Sequence, residues 1–211
     1  LVRSRGLGDV YKRQPVLLVA LLIRWRQERT GINWLLRQAG ELFAPALLIG
    51  LLWWGRNVAL YGGLDVLGKA AHDAVVVGQP RTADWIAERG FGPVARLFVQ
   101  TTFHSFWGQF GWMALPMNNP GWLYPLLWVG TAVVIAGLLF SRQPSSIMRH
   151  PSSARLSPQS SVLITTFLLT LAVHVGYNIT FVQHQGRYLF PALLPIGVGV
   201  AVGLDTWRSL P

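Results

Sequence analysis

The chain has 211 residues, of which 52% are hydrophobic and only 12% are charged, whereas a soluble globular domain carries about 25% charged residues. This composition excludes an ordinary soluble protein and predicts an all-α, polytopic integral membrane protein. The net charge of +10 does not indicate nucleic-acid binding, because no basic run alternates with aromatic residues, and the absence of cysteine excludes disulfides and cysteine metal sites.

The first fourteen residues differ from the rest of the chain because they have no apolar periodicity. Residues 9–14, DVYKRQ, match what one reading frame of a transposon-end sequencing adapter would encode. We therefore interpret residues 1–14 as a sequencing artefact and predict that they are disordered and dispensable. The alternative interpretation is a genuine basic N-terminus. Residues 15–23 are apolar but reach about half of the roughly 20 residues that a bilayer requires, so they are predicted to be the inner end of a truncated helix.

Four further apolar runs are long enough to cross a bilayer. They are residues 42–61, 122–140, 162–182 and 188–207. Arginines lie between the truncated helix and the first full span, again in residues 141–160, and after the last span at Arg208. The positive-inside rule therefore predicts that these stretches are cytoplasmic. Residues 62–120, in which acidic and basic side chains balance, are then predicted to form an outer loop.

Some residues of the spans are predicted to contact other helices. His174, Tyr177 and Asn178 share one face of the span 162–182 by their i, i+3, i+4 spacing. Gly199 and Gly203 form a small-xxx-small pair, which favours the close approach of a second helix.

The outer loop is predicted to contain two helices. Thr82 is a candidate N-cap of the first helix, Asp84 is favourable near its N-terminal end, and Gly90 is a plausible stop. Pro93 suits the first turn of the second helix. That helix is predicted to break at Gly108 and Gly111.

Polar and aromatic residues gather in the segments that are predicted to lie at the outer membrane surface. An arginine guanidinium suits phosphate, amides bond hydroxyl groups, and aromatic rings stack on sugars. The candidates for binding a lipid-linked sugar are Arg56, Asn57, His104, Trp107, Gln109, Gln183, Gln185, Arg187 and Tyr188. For each residue the alternative is an interfacial anchor or an interhelical hydrogen bond.

Among these residues, Arg187 is the expected ligand of the phosphate. Gly186 beside it is expected to leave room for the phosphate to approach the backbone, and Tyr188 adds an amphipathic ring.

Other kinds of site fit the sequence poorly. His104-Ser105 lacks the G-x-S-x-G pattern of a serine hydrolase. His174 and His184 are ten positions apart, which does not match the i, i+4 spacing of shared metal ligation on a helix, so no metal and no cofactor are predicted.

Three segments resemble the C-terminal halves of bacterial multi-pass proteins of the GT-C glycosyltransferase superfamily, including protein mannosyltransferase-like and related uncharacterised families. They are LLWWGRNVALYGG (51–63), SFWGQFGW (105–112) and QGRYLFPALLP (185–195). The resemblance covers most of residues 15–208. It implies transfer of a sugar from a polyprenyl-phosphate donor to an acceptor at the extracytoplasmic face of the bacterial plasma membrane. The implied partners are the bilayer and the lipid-linked sugar.

The resemblance also implies that the catalytic acid lies in a first outer loop near the N-terminus of the family's proteins. This sequence begins after that loop, so the catalytic residues are expected upstream and the fragment is expected to be inactive alone. The chain departs from the family after Tyr61, because Asp65 follows two positions later than the acidic residue of many relatives.

Two alternatives to a glycosyltransferase remain. In a transporter or lipid flippase, Arg56, His174 and Arg187 would line a substrate path. Such proteins have broken helices in matched halves, and no internal symmetry of that kind is visible in this sequence. The second alternative is a membrane protein without enzymatic activity.

Overall fold

The computed structural model describes residues 7–63, 65–76, 78–110, 113–117, 119–140 and 157–208. They form an all-α protein, which confirms the predicted fold class. Four helical segments are long and apolar enough to cross a membrane, as predicted, so this is a multi-pass membrane protein. The single transmembrane domain over residues 15–211 stays a prediction. By its contacts the chain divides into two compact units, Leu17–Gln79 and Pro80–Pro211 with Leu1–Val16.

The first helix is longer than the sequence predicted. Helix α1 comprises Leu7–Glu28 and therefore contains the predicted truncated span, residues 15–23. The backbone of residues 7–14 is helical where the sequence predicted disorder. Extending an existing helix costs little once its first turn has formed, so an apolar helix can continue into residues that lack apolar periodicity. The other part of the predicted artefact, residues 1–6, lies outside the described residues.

The unit Leu17–Gln79 contains the C-terminal part of α1 together with helices α2 (Ile32–Tyr61) and α3 (Lys69–Val75). Helix α2 ends at Tyr61, as predicted for the span 42–61, but it begins ten residues earlier. Gly62 ends the helix, because its backbone φ is 72°, a value that residues with a Cβ rarely adopt. The carboxylate of Asp65 then accepts hydrogen bonds from the first turn of α3, at 3.1 Å from Ala70 N and 2.8 Å from Ala71 N.

The second unit contains the three remaining membrane-spanning segments and the predicted outer helices. In chain order its elements are α4 (Thr82–Arg89), α5 (Phe91–Gly108), strands β1 (Gln109–Phe110) and β2 (Leu115–Pro116), α6 (Leu123–Phe140), α7 (Pro158–Thr180), a 3-10 helix (Gly186–Ala192) and α8 (Leu193–Arg208). The spans predicted at residues 122–140, 162–182 and 188–207 correspond to α6, α7, and the 3-10 helix continued by α8. Most of the predicted cytoplasmic loop 141–160, residues 141–156, lies outside the described residues, and residues 158–160 already belong to α7.

The two outer helices end where glycine was predicted to end them. Gly90 follows α4 with a φ of 84°, and α5 ends at Gly108. Pro93 lies in the first turn of α5, as expected. Thr82 is not the N-cap of α4, because it is the first helical residue and its hydroxyl donates instead to the carbonyl of Asn178 at 2.7 Å.

Helices α6 and α8 pack closely through one pair of glycines. A Cβ at Gly137 would collide with the backbone carbonyl of Gly203, and a Cβ at Gly203 would lie 2.5 Å from the carbonyl oxygen of Val134. The indole nitrogen of Trp207 donates to the carbonyl of Val133 at 3.0 Å on the same side. Of the predicted pair, Gly203 is therefore at a helix contact, whereas Gly199 faces open space.

Candidate functional site

The two polar and aromatic segments around Ser105 and Gly186 contact each other. The backbone N–H of Gly186 donates to the Ser105 hydroxyl oxygen at 2.7 Å. The same hydroxyl donates to the carbonyl of Thr101 at 2.5 Å, within α5, and lies 3.3 Å from the carbonyl of His184. A Cβ at Gly186 would collide with the backbone of α5 at Thr102 and Phe106. The 3-10 helix can therefore lie directly against α5 only because this position is glycine.

This contact corrects the expectation that Gly186 leaves room for a phosphate. The residue is buried, its N–H is used by Ser105, and the space in front of its Cα is filled by α5. A sequence pattern can indicate that a glycine is needed for close approach, but not whether a ligand or another part of the chain approaches.

The residues around Arg187 are largely bonded to one another. Both the side-chain amide of Gln185, at 3.1 Å, and the hydroxyl of Tyr188, at 3.2 Å, donate to the side-chain oxygen of Gln183. Gln185 is buried, with only 4% of its surface exposed. Arg187 is exposed, and its guanidinium carbon lies 5.7 Å from the centre of the Tyr188 ring. These contacts stabilise the connection between α7 and the 3-10 helix.

A second buried network joins α7 to the same connection. His174 Nε2 lies 3.2 Å from the hydroxyl of Thr102. The side-chain amide of Asn178 donates to the carbonyl of His174 at 2.9 Å, and its oxygen accepts from the backbone N–H of Gln183 at 2.9 Å. Of the three residues predicted to share one contacting face of this helix, His174 and Asn178 are buried, whereas Tyr177 is exposed.

His184 is held by aromatic rings rather than by metal-binding neighbours. Its ring meets Phe98 edge-on at a centroid distance of 5.3 Å and Trp85 at 6.1 Å. Burial lowers the pKa of His184 below the usual value of 6.5, so the ring is neutral at neutral pH. Among the residues that the structure describes, no three His, Asp or Glu side chains gather into a possible metal site.

The predicted candidates at the C-terminal end of α5 have separate environments. The ring of His104 stacks on Tyr124, with centroids 3.8 Å apart and an interplanar angle of 10°. Tyr124 is fixed in turn, because its hydroxyl donates to the carbonyl of Gly108 at 2.8 Å and accepts from Met117 N at 2.9 Å. Trp107 is 47% exposed. Gln109 donates to the carbonyl of Met113 at 2.6 Å and so bonds within its own turn.

The remaining two candidates lie in the unit that contains α2. Asn57 is 2% exposed, and its amide donates to the carbonyl of Val66 at 3.0 Å, which ties the end of α2 to the following loop. The guanidinium carbon of Arg56 lies 5.1 Å from the centre of the Trp53 ring. Within this unit, Asn57 therefore has a structural role.

A cavity of about 590 Å³ lies along α5. Its lining residues are Ala95, Arg96, Val99, Gln100 and His104 of α5, and Trp128 of α6. A neighbouring hollow of about 430 Å³ shares Arg96 and Gln100. His104 was a sequence-based candidate, but Arg96 and Gln100 were not. Arg96 and Gln100 precede His104 by eight and four residues along one helix, and this spacing is the signal that could have identified them.

Burial also affects His104, the one titratable ring in this lining. It lowers the pKa of His104 from its usual value of 6.5, although less of this residue is buried than of His184. At neutral pH the ring therefore offers one hydrogen-bond donor and one acceptor.

No protein-family model, no curated protein and no solved structure matches this chain.

Proposed function

We propose that this chain is part of a membrane glycosyltransferase that moves a sugar from a polyprenyl-phosphate donor to an acceptor at the extracytoplasmic face of the bacterial plasma membrane. The observation that carries the proposal is the cavity beside α5. Its lining combines a cation, an amide and an imidazole with the indole of Trp128. These are the groups that bind phosphate, sugar hydroxyls and the apolar faces of sugar rings.

The position of Trp128 supports a lipid-linked substrate. Trp128 lies in the second turn of α6, a helix long and apolar enough to cross a membrane. A cavity next to the end of such a helix is accessible to a headgroup while the lipid chain stays in the bilayer. Ala95 and Val99 supply further apolar lining on the same side of α5.

The contact between Ser105 and Gly186 gives independent support. These residues belong to two of the three segments that resemble GT-C proteins, and they are joined by the 2.7 Å hydrogen bond across α5 and the 3-10 helix. Two of the three resembling segments therefore contact each other, whereas the third, residues 51–63, belongs to the unit Leu17–Gln79.

The transporter or flippase alternative has less support from the residues named for it. It requires His174 to line a path, but His174 is 3% exposed and lies within the network of Thr102 and Asn178. Opening a path there would leave buried polar groups without partners, which costs about 1–3 kcal/mol for each group.

A transfer assay tests the proposal. The complete reading frame that contains this chain is expressed, and membranes are supplied with a polyprenyl phosphate that carries a labelled hexose. We expect the label to leave the lipid and enter a lipid-free acceptor, and the rate to fall in Trp128→Ala because the ring-stacking surface is lost. Movement of intact labelled lipid between the leaflets would instead support a flippase. If the label neither leaves the lipid nor changes leaflet with it, the result would support a non-enzymatic protein.

A further inference from the structure

Three polar side chains form a stripe along α5. Arg96, Gln100 and His104 are four residues apart, so they lie on one face of the helix and extend over about 12 Å at 1.5 Å per residue. All three line the 590 Å³ cavity. The cavity is open to the surface, since Arg96 and Gln100 are exposed.

Two members of the stripe, Arg96 and Gln100, make no polar contact with the rest of the described protein. Within the described ranges, Arg96 has no acidic partner and Gln100 has no hydrogen-bond partner. Arg89 on the neighbouring helix behaves differently, since its guanidinium lies 3.6 Å from the Glu88 carboxylate and 4.3 Å from the Trp85 ring centre. The guanidinium of Arg96 and the amide of Gln100 are therefore available to an external ligand, whereas the ring face of His104 is stacked on Tyr124.

The opposite wall of the cavity is aromatic and held in place. Trp128 stacks on Phe103, with centroids 3.7 Å apart and an interplanar angle of 18°. His104 stacks in the same manner on Tyr124. Two rings from α5 thus pack on two rings from α6, and this packing fixes the distance between the polar stripe and the indole.

We propose that Arg96, Gln100 and His104 form an anion subsite for the glycosyl-phosphate headgroup of a single-chain lipid. Arg96 donates to the phosphate oxygens, Gln100 and the neutral ring of His104 bond sugar hydroxyls, and Trp128 covers an apolar face of the sugar. The inference rests on the proposed function for the choice of ligand, but the site itself requires only binding. It assigns the phosphate to Arg96 on α5 rather than to Arg187 on the 3-10 helix.

Binding to the 211-residue chain in bilayer discs tests the subsite. The probes are a polyprenyl phosphate, the corresponding polyprenol without phosphate, and a soluble hexose 1-phosphate as competitor. We expect the polyprenyl phosphate to bind more tightly than the polyprenol, and Arg96→Gln to weaken its binding about tenfold, because a charge-assisted hydrogen bond is lost from a partly exposed site. Arg96→Lys keeps the charge but loses the planar fork, so it should recover part of the loss.

The matched control is Arg208→Gln, which removes an exposed arginine from the end of α8 and should leave binding unchanged. Arg96 and Gln100 are exposed, so their variants should melt like the wild type. Unchanged binding in Arg96→Gln, or a loss confined to Arg187→Gln, would overturn the subsite. Competition by hexose 1-phosphate at the affinity of the lipid would overturn the lipid assignment.

The outcomes separate the subsite from the proposed function. If Arg96→Gln weakens lipid binding while the complete reading frame transfers no sugar, the subsite stands and the glycosyltransferase proposal fails. If transfer and binding are both normal in Arg96→Gln, the subsite fails and the glycosyltransferase proposal stands.

Discussion

Ser105 and Gly186 are 81 residues apart in the sequence, yet the hydroxyl of Ser105 accepts the backbone N–H of Gly186 at 2.7 Å. This bond joins the C-terminal half of α5 to the start of the last membrane-spanning segment. It also satisfies a buried N–H that would otherwise have no partner at the beginning of the 3-10 helix. The arrangement depends on the absence of a Cβ at position 186.

Gly186→Ala should destabilise the protein. The added methyl group would collide with the α5 backbone at Thr102 and Phe106, neither of which can move as a flexible side chain can. We expect the free energy of unfolding in detergent to fall by about 1–3 kcal/mol, the usual range for overpacking. The control is Gly176→Ala in α7, where the structure has open space and alanine should be neutral or stabilising. Equal melting temperatures for both variants would contradict the close contact.

Replacing Gly203 and Gly199 of α8 by alanine should change the stability of the protein in opposite directions. Gly203→Ala places a methyl group against the carbonyl of Val134 and should weaken the packing of α8 on α6. Gly199→Ala, one turn earlier, meets nothing and should stabilise the helix by about 0.5–1 kcal/mol. Thermal melting of the two variants measures the difference, and a destabilised Gly199→Ala would mean that α8 has a partner at that face.

Stability should decrease below pH 6.5 in part because of His184. Burial lowers the folded-state pKa of His184 below its usual value of 6.5, so the unfolded chain takes up this proton more readily than the folded chain. The contribution is fully present above about pH 6.5 and is lost as the pH falls toward the folded-state pKa. His184→Gln, which does not titrate, should flatten the plot of melting temperature against pH between 5 and 8. Identical curves for wild type and His184→Gln would refute the assignment.

Asn57→Ala should destabilise the connection between α2 and α3. The amide of Asn57 is buried and donates to the carbonyl of Val66, so its removal leaves a carbonyl oxygen with one fewer partner. The expected cost is about 1–3 kcal/mol. Local hydrogen exchange of residues 62–68 should rise. Gln38→Ala, which removes a half-buried amide bonded only to the side chain of Glu41 on the same helix, is the control. If lipid binding is lost while exchange is unchanged, Asn57 is a ligand contact as first predicted.

The predicted topology can be tested by cysteine labelling, because the chain has no native cysteine. A cysteine at position 150 should react with a membrane-impermeant reagent only after the cells are opened, since residues 141–160 are predicted to be cytoplasmic. A cysteine at position 187 should react in intact cells. Labelling at 150 in intact cells would reverse the orientation.

The sequence by itself determined the fold class, the number of full spans and several helix ends. A run of about 20 apolar residues satisfies its backbone polar groups as a helix in the bilayer whatever surrounds it, so the four spans follow from length and composition. Tyr61, Arg89 and Gly108 end their helices as predicted because glycine at or after these positions acts locally.

Only the tertiary structure decided what the polar residues do. Asn57, Gln183, Gln185 and Gln109 were equally plausible as ligand contacts, but each donates or accepts within the protein. Conversely, the sequence analysis did not select Arg96 and Gln100 as candidates for ligand binding, yet both line a cavity. Helical periodicity specifies which residues share a face, but whether that face meets another helix, its own loop or an open cavity depends on chain segments distant in sequence. That choice therefore appears only when the helices pack.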